Sequence, residues 1–450
     1  MKRIVAAFAA SILLFAQPAA AQSILRDAET EAMFKDMSAS IIKASGLSTR
    51  DVQVVLINDD SINAFVVGGQ TVYIHSGLIQ AADDANQVQG VIAHEIGHIA
   101  DGHVALADAG AKPAMGITLL SMVLGVAAIA AGSGAAGAGI MAAGQQAGLG
   151  KYLAFTRTQE ASADAAGARY LNTAGVSGKG MISFFKKLQQ QEYGYGLANI
   201  DPFMQSHPLS GERIANLNND LQTAPAWNAK PDAALEERFK RVKAKLLGYV
   251  AAPERTLATY PAGNNSVYAH YARAYAYHKA GYPDKADAEA AALIAIKPDD
   301  PYFQEIQGQI LLEAGRPRDA LVPLRAATAG TGNNPLIATT FGHALIATED
   351  KANYAEAVKV LRVAVNRDDD NPFAWYQLGT VYELTGDTAR AALATAEQAS
   401  MNGDHRTAAQ SASYALANIP PNTTDWIRAQ DIAMAAQNDM EDNPKKYKRR

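Results

Sequence analysis

The sequence of 450 residues contains no cysteine. It can therefore form no disulfide, carry no lipid on an N-terminal cysteine and supply no thiolate to a metal. A structural zinc site, which closes with four ligands and favours cysteine, is disfavoured for the same reason. Charged residues are also scarce, at 19% of the chain, and the formal net charge is −5. A protein with few charged residues and a net negative charge is not expected to have the broad basic surface that nucleic-acid binding requires. We therefore expect no nucleic-acid partner.

The N-terminal residues are basic first and apolar next. A Lys2-Arg3 pair precedes an apolar stretch at 4–15, and a run of small residues ends at Ala21. The apolar stretch is shorter than the ~20 residues that a membrane-spanning helix needs. This order is typical of a secretory signal peptide, 1–21. We therefore expect a periplasmic protein, with association to the outer membrane as an open alternative.

The rest of the chain falls into segments of different composition. Residues 22–225 mix helical and strand patterns, and the short β-branched runs in 51–79 predict a small antiparallel sheet. A charged helical linker at 226–263 leads to helical repeats at 264–437, and a basic disordered tail follows at 438–450. The predicted fold class is therefore α+β, mainly helical.

The repeats are visible as small residues in phase. Ala274, Gly308 and Gly379 are each followed after seven positions by a glycine and after five more by an alanine, and the first two are 34 residues apart. The third unit carries an insertion near Ala352. This period predicts an all-α tetratricopeptide repeat solenoid, because small residues let antiparallel helices approach closely. The concave face of such a solenoid binds peptide segments or partner proteins.

The residues that carry chemistry lie in the apolar segment VIAHEIGHIADGH. His94 and His98 are four positions apart, so on a helix their imidazoles share one face and can bind one metal ion. Glu95 lies beside them and is left for another role, that of catalytic base. A catalytic zinc needs three protein ligands and one open position. A third ligand must therefore come from elsewhere in the chain.

Three residues are candidates for this ligand: His103, Glu160 and His207. His103 lies five residues beyond His98, about 140° around a continuous helix, which directs it away from the shared face. Glu160 lies in a segment rich in helix formers, with Asp164 one turn further along the same face. We therefore predict Glu160 as the third ligand of one Zn²⁺ per chain. Asp164 is expected to orient the imidazole of one of the two ligand histidines.

Between Lys112 and Lys151 the sequence has no charged residue. Glycines from Gly132 to Gly139 interrupt this stretch and predict a helical hairpin of mostly small apolar residues. An uncharged surface of that size favours peripheral membrane contact or substrate gripping through 113–150. A hairpin packed against its own protein is equally consistent with the sequence.

The HEIGH motif, followed after the hairpin by Glu160-x-x-Ala163-Asp164, resembles the zinc metallopeptidase family of HtpX and the CAAX prenyl proteases. The strand segment NAFVVGGQTVYIHSGLI is similar to that family too. The signal peptide and the repeats narrow the resemblance to the periplasmic β-barrel assembly-enhancing protease type. The resemblance implies a gluzincin-type zinc metallopeptidase domain in 22–225. It also implies hydrolysis of misassembled outer-membrane proteins, with the repeats docking on the barrel-assembly machinery or its clients.

The segment DPFMQSHPLSGERIANL resembles the HPxxxxRI element that this family carries beside its active site. The resemblance implies that His207 can occupy the open zinc position, as a fourth ligand, in a latent state. Two alternatives stay open: His207 or Arg213 stabilises an oxyanion, or the histidine is only structural.

The sequence therefore predicts a periplasmic zinc metalloendopeptidase acting on misfolded or misassembled envelope proteins. Unfolded segments are expected to lie along the sheet edge around 64–67, through main-chain hydrogen bonds. The alternative function is a repeat-based periplasmic chaperone or outer-membrane assembly scaffold, in which the metal site stays mostly latent.

Overall fold

The computed structural model describes residues 23–130, 133–195, 207 and 211–443. The predicted signal peptide, 1–21, lies outside the described residues, as does most of the predicted basic tail. The chain divides into two compact units, of which the first comprises 1–26 and 30–243 and the second comprises 27–29 and 244–450.

The first unit combines a small sheet with long helices. Its strands are β1 (Ile24–Leu25), β2 (Gln53–Ile57), β3 (Ala64–Val66) and β4 (Thr71–His75). Its helices up to the hairpin are α1 (Ala28–Ala44), α2 (Ser76–Ala81), α3 (Ala85–Ala100) and α4 (His103–Ala130). The helices that follow are α5 (Gly134–Thr173), α6 (Lys179–Tyr195) and α7 (Gly211–Gln222).

The sheet has four strands in the order β1-β2-β4-β3. β1 pairs with β2 and β3 pairs with β4, both antiparallel, but β2 and β4 are parallel. The prediction of an antiparallel sheet is therefore wrong in part, and the sheet is mixed. The turn at Gly68-Gly69 makes β3 and β4 a hairpin, as the local pattern indicates. That pattern does not say which hairpin strand lies beside β2, and the inner position goes to β4.

Helix α3 lies at the centre of the first unit, where it contacts β3, β4, α5 and α6. Its first turn is capped by Asp84, whose Oδ1 accepts a hydrogen bond from the Gln87 backbone N–H at 2.8 Å. The apolar residues between the polar motif positions, Val91, Ile92 and Ile96, are fully buried. Burial on several faces explains why the residues that flank the motif histidines and Glu95 are apolar.

The second unit is a series of antiparallel helix pairs. Helices α8 (Ala233–Val250) and α9 (Pro253–Thr259) precede the repeats, and α8 crosses the division between the units. The repeat helices are α10 (Val267–Lys279), α11 (Pro283–Ile296), α12 (Pro301–Glu313), α13 (Pro317–Gly330), α14 (Pro335–Ala347), α15 (Tyr354–Arg367), α16 (Pro372–Thr385), α17 (Thr388–Met401), α18 (His405–Asn418) and α19 (Thr424–Asp442).

The repeat pattern in the sequence coincides with these pairs. The glycines at the turns, Gly281, Gly315 and Gly386, have φ of 74°, 75° and 82°, which favours glycine. A Cβ at Gly308 would lie 2.4 Å from the Leu324 side chain, so the close approach of α12 and α13 requires glycine there. The predicted helical-repeat fold is confirmed, and the insertion near Ala352 is a short 3₁₀ turn, Lys351–Asn353.

The ends of the predicted segments differ from the helices in detail. The division after residue 243 falls inside the predicted linker, 226–263. Helix α19 continues to Asp442, so the start of the segment predicted as a disordered tail, 438–450, is helical. Residues 444–450 lie outside the described part of the chain.

Candidate metal centre

Helix α3 carries three of the predicted site residues on its buried side. His94 and Glu95 are fully buried, and His98 is 8% exposed. The rings of His94 and His98 lie with their centroids 4.8 Å apart, and their Nε2 atoms are 3.1 Å apart. The spacing of four residues therefore places both imidazoles side by side, as the motif predicts.

Helix α5 crosses α3 closely enough to bring its carboxylates to the same place. A Cβ at Gly97 would lie 2.7 Å from the Ala163 carbonyl oxygen, and one at Gly167 would lie 3.1 Å from the Ala93 backbone. The glycine of HEIGH therefore permits a backbone contact that no other residue would allow. This crossing places the buried Glu160 against the two histidines.

The candidate ligand atoms lie at similar distances from one another. Glu160 Oε2 is 3.3 Å from His94 Nε2, and Glu160 Oε1 is 3.4 Å from His98 Nε2. His207 Nδ1 completes the group at 3.0 Å from Glu160 Oε1 and 3.3 Å from His94 Nε2. One ligand atom from each of these residues lies within 4.8 Å of all the others. The structure thus brings together all four residues predicted to hold the metal.

This arrangement fits zinc by chemistry and by size. Two or three imidazoles with one carboxylate are ligands that zinc prefers. Tetrahedral zinc with bonds of about 2.0–2.1 Å places its ligand atoms about 3.4 Å apart. The separations of 3.0–3.4 Å between the atoms of His94, His98, Glu160 and His207 match that value. The residues present therefore fit a zinc ion.

Asp164 pairs with His94 rather than with His98. Its Oδ1 lies 2.9 Å from His94 Nδ1, the ring nitrogen that faces away from the metal position. Arg213 donates to the same carboxylate, with Nε 2.7 Å from Oδ2 and Nη2 2.9 Å from Oδ1, and its Nη1 lies 3.1 Å from Glu160. Arg213 therefore binds the carboxylates of both Asp164 and Glu160. This placement favours a positioning role for Arg213 over oxyanion stabilisation.

His103 performs for His98 the task that Asp164 performs for His94. Its Nδ1 lies 3.0 Å from His98 Nδ1, and the residue is buried. The expectation that His103 points away is wrong, because it assumed a continuous helix. Helix α3 ends at Ala100, and Gly102, at φ 68°, turns the chain before α4 begins at His103. Sequence reasoning therefore missed this contact, and the glycine after Asp101 was the available signal.

Glu95 differs from the other carboxylates of the site. Both of its oxygens are buried and have no hydrogen-bond partner among the described residues. The imidazole of His207 faces it, with Nε2 3.6 Å from Glu95 Oε1. An enclosed carboxylate without a partner is costly unless a water molecule or substrate meets it.

The charges of the site shift the pKa values in opposite directions. Burial lowers the pKa of His94, but the carboxylates of Asp164 and Glu160 outweigh it and raise that pKa to about 10. Burial raises the pKa of Glu160, but His207, His94 and His98 hold it well below its usual range. Burial lowers the pKa of His98. At pH 7 Glu160 and Asp164 are therefore ionised and His98 is neutral, as metal binding requires. The raised pKa of His94 keeps that ring protonated, so a metal ion that binds here displaces the proton of His94.

The chain is similar to known metalloproteases. Residues 25–220 match the model of peptidase family M48. The chain is 28% identical over 375 residues to the beta-barrel assembly-enhancing protease of Escherichia coli K12, covering 80% of this chain and 70% of that protein. It is 24% identical over 357 residues to the protease of the same name from Yersinia pestis, covering 77% and 71%. Metalloprotease LoiP of E. coli K12 is 34% identical over 163 residues, 36% of this chain and 59% of LoiP.

Among solved structures, the tetratricopeptide protein YrrB aligns with 39% of this chain and 91% of its own, at 21% identity and a TM-score of 0.33. A score that low supports no conclusion about this chain. The family match covers every predicted site residue from His94 to Arg213, and the relatives that match over most of this chain are named as proteases. In residues 25–220 the chain therefore carries a metalloprotease domain of peptidase family M48.

Proposed function

We propose that the protein is a zinc metalloendopeptidase whose zinc is held by His94, His98 and Glu160. The observation that carries this proposal is the set of ligand atoms 3.1–3.4 Å apart, the spacing that tetrahedral zinc requires. The partners behind them support it further, since Asp164 holds the free nitrogen of His94 and His103 that of His98.

In the proposed reaction the residues of α3 divide the work. Bound zinc supplies a Lewis acid that lowers the pKa of a water molecule and polarises the scissile carbonyl. Glu95, with its two unpartnered oxygens, accepts the proton of the attacking water and delivers it to the leaving amine. Asp164 and His103 keep the two ligand imidazoles in the tautomer that binds metal through Nε2.

Substrate is proposed to bind along β3. This strand lies at the end of the sheet, so its outer edge carries no partner strand among the described residues. It also contacts α3. An extended segment that pairs with Ala64–Val66 would gain main-chain hydrogen bonds that do not depend on side chains. Broad specificity for unfolded segments follows.

His207 is proposed to hold the site in a latent state. Its Nδ1 lies as close to Glu160 and His94 as the other ligand atoms do, so it takes the position that the attacking water would need. Its Nε2 also faces Glu95. Proteolysis therefore requires His207 to move away, and this motion provides a gate that a substrate or a partner can operate.

The substrates are proposed to be misfolded or misassembled envelope proteins, met in the periplasm. This part rests on the names of the E. coli and Y. pestis relatives, which are beta-barrel assembly-enhancing proteases, and on the signal-like sequence at 1–21. The repeats are proposed to dock a partner, such as the outer-membrane barrel-assembly machinery, or the substrate itself, because solenoids of this kind bind proteins.

A chaperone or assembly scaffold is the second candidate. One observation favours it: four candidate ligands, with His207 included, leave no open position on a tetrahedral metal. In that function the metal site would stabilise the fold, and the repeats would bind the client or partner proteins.

Removal of the metal separates the two candidates. The purified chain should hydrolyse an unfolded protein such as casein, lose that activity on treatment with a chelator, and regain it with about one zinc per chain. An exposed substitution on the second unit, Glu254→Gln, serves as the control and should change neither value. Full zinc content without hydrolysis, in the wild type and in His207→Ala alike, would favour the scaffold.

A further inference from the structure

The hairpin formed by α4 and α5 has no charged residue between Lys112 and Lys151, and most of its exposed side chains there are apolar. Among the described residues, one helical segment, Lys112–Ile129, is long and apolar enough to cross a membrane by length and composition, and little of it is buried. Leu119, Leu120, Val123 and Val126 are 57%, 61%, 66% and 60% exposed. The alternative that the hairpin packs against its own protein is therefore wrong for these side chains.

Only the seam between the two helices is covered. The buried positions that the structure describes from 112 to 153 are all small: Ala114, Ser121, Gly125, Gly137, Gly144 and Gly148. A Cβ at Gly144 would lie 1.9 Å from the Ser121 side chain, and one at Gly137 would lie 2.4 Å from Ile129. Close contact through small residues is how helices pack when the surrounding medium is as apolar as their side chains.

Two hydroxyl groups in the hairpin are hydrogen-bonded within helix α4, as an apolar surrounding requires. The hydroxyl of Thr118 donates to the Ala114 carbonyl, and the hydroxyl of Ser121 donates to the Thr118 carbonyl, so neither needs water. The exposed Lys112 and Lys151 both lie at the base, since Gly148 of α5 is packed against Ala114 and Thr118 of α4. Charge therefore begins at one level on both helices.

The exposed apolar side chains lie on several sides of the hairpin, so whatever covers them must surround it. Met122, Val123 and Leu124 are consecutive and all three are exposed. Successive residues lie about 100° apart around a helix, so these side chains cover more than half of its circumference, and a groove on a protein partner would cover only one side of α4. A bilayer covers all sides at once. The segment from Leu119 to Ile129 rises about 15 Å at 1.5 Å per residue. This is about half of the ~30 Å hydrocarbon thickness. The exposed Gln145 and Gln146 lie at the lower end of this segment, between the levels at which Gly144 meets Ser121 and Gly148 meets Thr118.

We propose that the α4–α5 hairpin inserts into one leaflet of a lipid bilayer, with Lys112 and Lys151 at the headgroups. The insertion holds the peptidase unit against a membrane and does not depend on whether the metal site is active. It goes beyond peripheral contact, because the distal side chains enter the hydrocarbon.

Flotation of the full chain with vesicles of phosphatidylethanolamine and phosphatidylglycerol tests the proposal. The wild type should float with the vesicles, and a Val123→Asp, Val126→Asp double variant should partition at least about 100-fold less, because each charge is costly in hydrocarbon. The matched control, Val322→Asp with Ile427→Asp, places the same charges on exposed apolar positions of the repeat unit and should float like the wild type. Equal flotation of both double variants would overturn the proposal.

The depth of insertion has its own readout, made simple by the absence of cysteine. A single Val126→Cys carrying a nitrobenzoxadiazole probe should be quenched by spin labels on lipid acyl chains and protected from iodide in the water. The same probe at Val322→Cys should show the reverse. Iodide quenching equal at both sites would overturn insertion, as would self-association of the wild type without flotation, which would assign the surface to a second copy of this chain.

Discussion

The imidazole of His103 lies with its Nδ1 3.0 Å from Nδ1 of His98, although the two residues belong to different helices. When His98 binds metal through Nε2, its Nδ1 carries the proton and donates a hydrogen bond to Nδ1 of His103. Behind His103, Asp101 lies 3.9 Å away and accepts a hydrogen bond of 2.5 Å from Ser162 of α5. This chain of contacts ties the orientation of His98 to the crossing of α3 and α5.

Substitution of His103 should therefore weaken zinc binding without removing a ligand. We expect His103→Ala to lower zinc affinity by ~10 to 100-fold, the usual loss when the partner of a ligand histidine is removed. His103→Asn, which retains an acceptor oxygen, should recover part of the loss. Zinc affinity is measured by competition with a chromogenic chelator. Wild-type affinity in His103→Ala would show that the contact does not position His98.

The glycine of the HEIGH motif should be required by the backbone contact that it permits. In Gly97→Ala the new methyl group would meet the Ala163 carbonyl at 2.7 Å, which pushes α5 and Glu160 away from α3. We expect a lower melting temperature and a loss of bound zinc. Gly150→Ala is the matched control, because a Cβ there meets nothing within 4 Å. It should leave stability unchanged or raise it by up to ~1 kcal/mol. Equal behaviour of the two variants would contradict the close crossing.

The second unit should lose stability as the pH rises through the titration of Glu305. Burial raises the pKa of this residue to about 8, and its Oε2 has no hydrogen-bond partner among the described residues. The unfolded chain has the ordinary glutamate value of ~4.3, so between these pH values the folded state binds the extra proton. Its stabilising contribution is therefore complete below about pH 4.3 and is lost as the pH rises through 8.

Glu305→Gln removes this titration. At pH 9 the variant should be more stable than the wild type by a few kcal/mol, and at pH 5 the difference should fall to about 1 kcal/mol or less. Urea unfolding of the full chain followed by circular dichroism measures both values, with the exposed Glu254→Gln as the control. A difference of the same size at both pH values would rule out the titration of Glu305 as its cause.

Much of this structure is readable from local spacing. The spacing of four positions from His94 to His98, and from Glu160 to Asp164, determines which side chains share a helix face. The repeats follow from small residues in phase. The sequence does not predict contacts between residues of different helices and strands, because these contacts depend on tertiary packing. The inner place of β4, the pairing of Asp164 with His94 and the return of His103 toward His98 all follow from tertiary packing.

If His207 holds the site in a latent state, removal of its side chain should increase proteolysis. His207→Ala should hydrolyse casein several-fold faster than the wild type while it retains zinc, because His94, His98 and Glu160 still bind the metal and the position of the water is open. A fall in rate at full zinc content would instead assign His207 to substrate or transition-state binding. An unchanged rate would make it structural.

Hydrolysis of casein by Glu95→Gln, in the wild-type and His207→Ala backgrounds and with bound zinc quantified in each, tests the central claim most directly. Glutamine keeps the size of Glu95 but cannot accept the proton of the water, and Glu95 is not one of the proposed ligands. The account predicts that hydrolysis falls by at least ~100-fold in both backgrounds at about one zinc per chain. Hydrolysis at the parental rate in either background would contradict it.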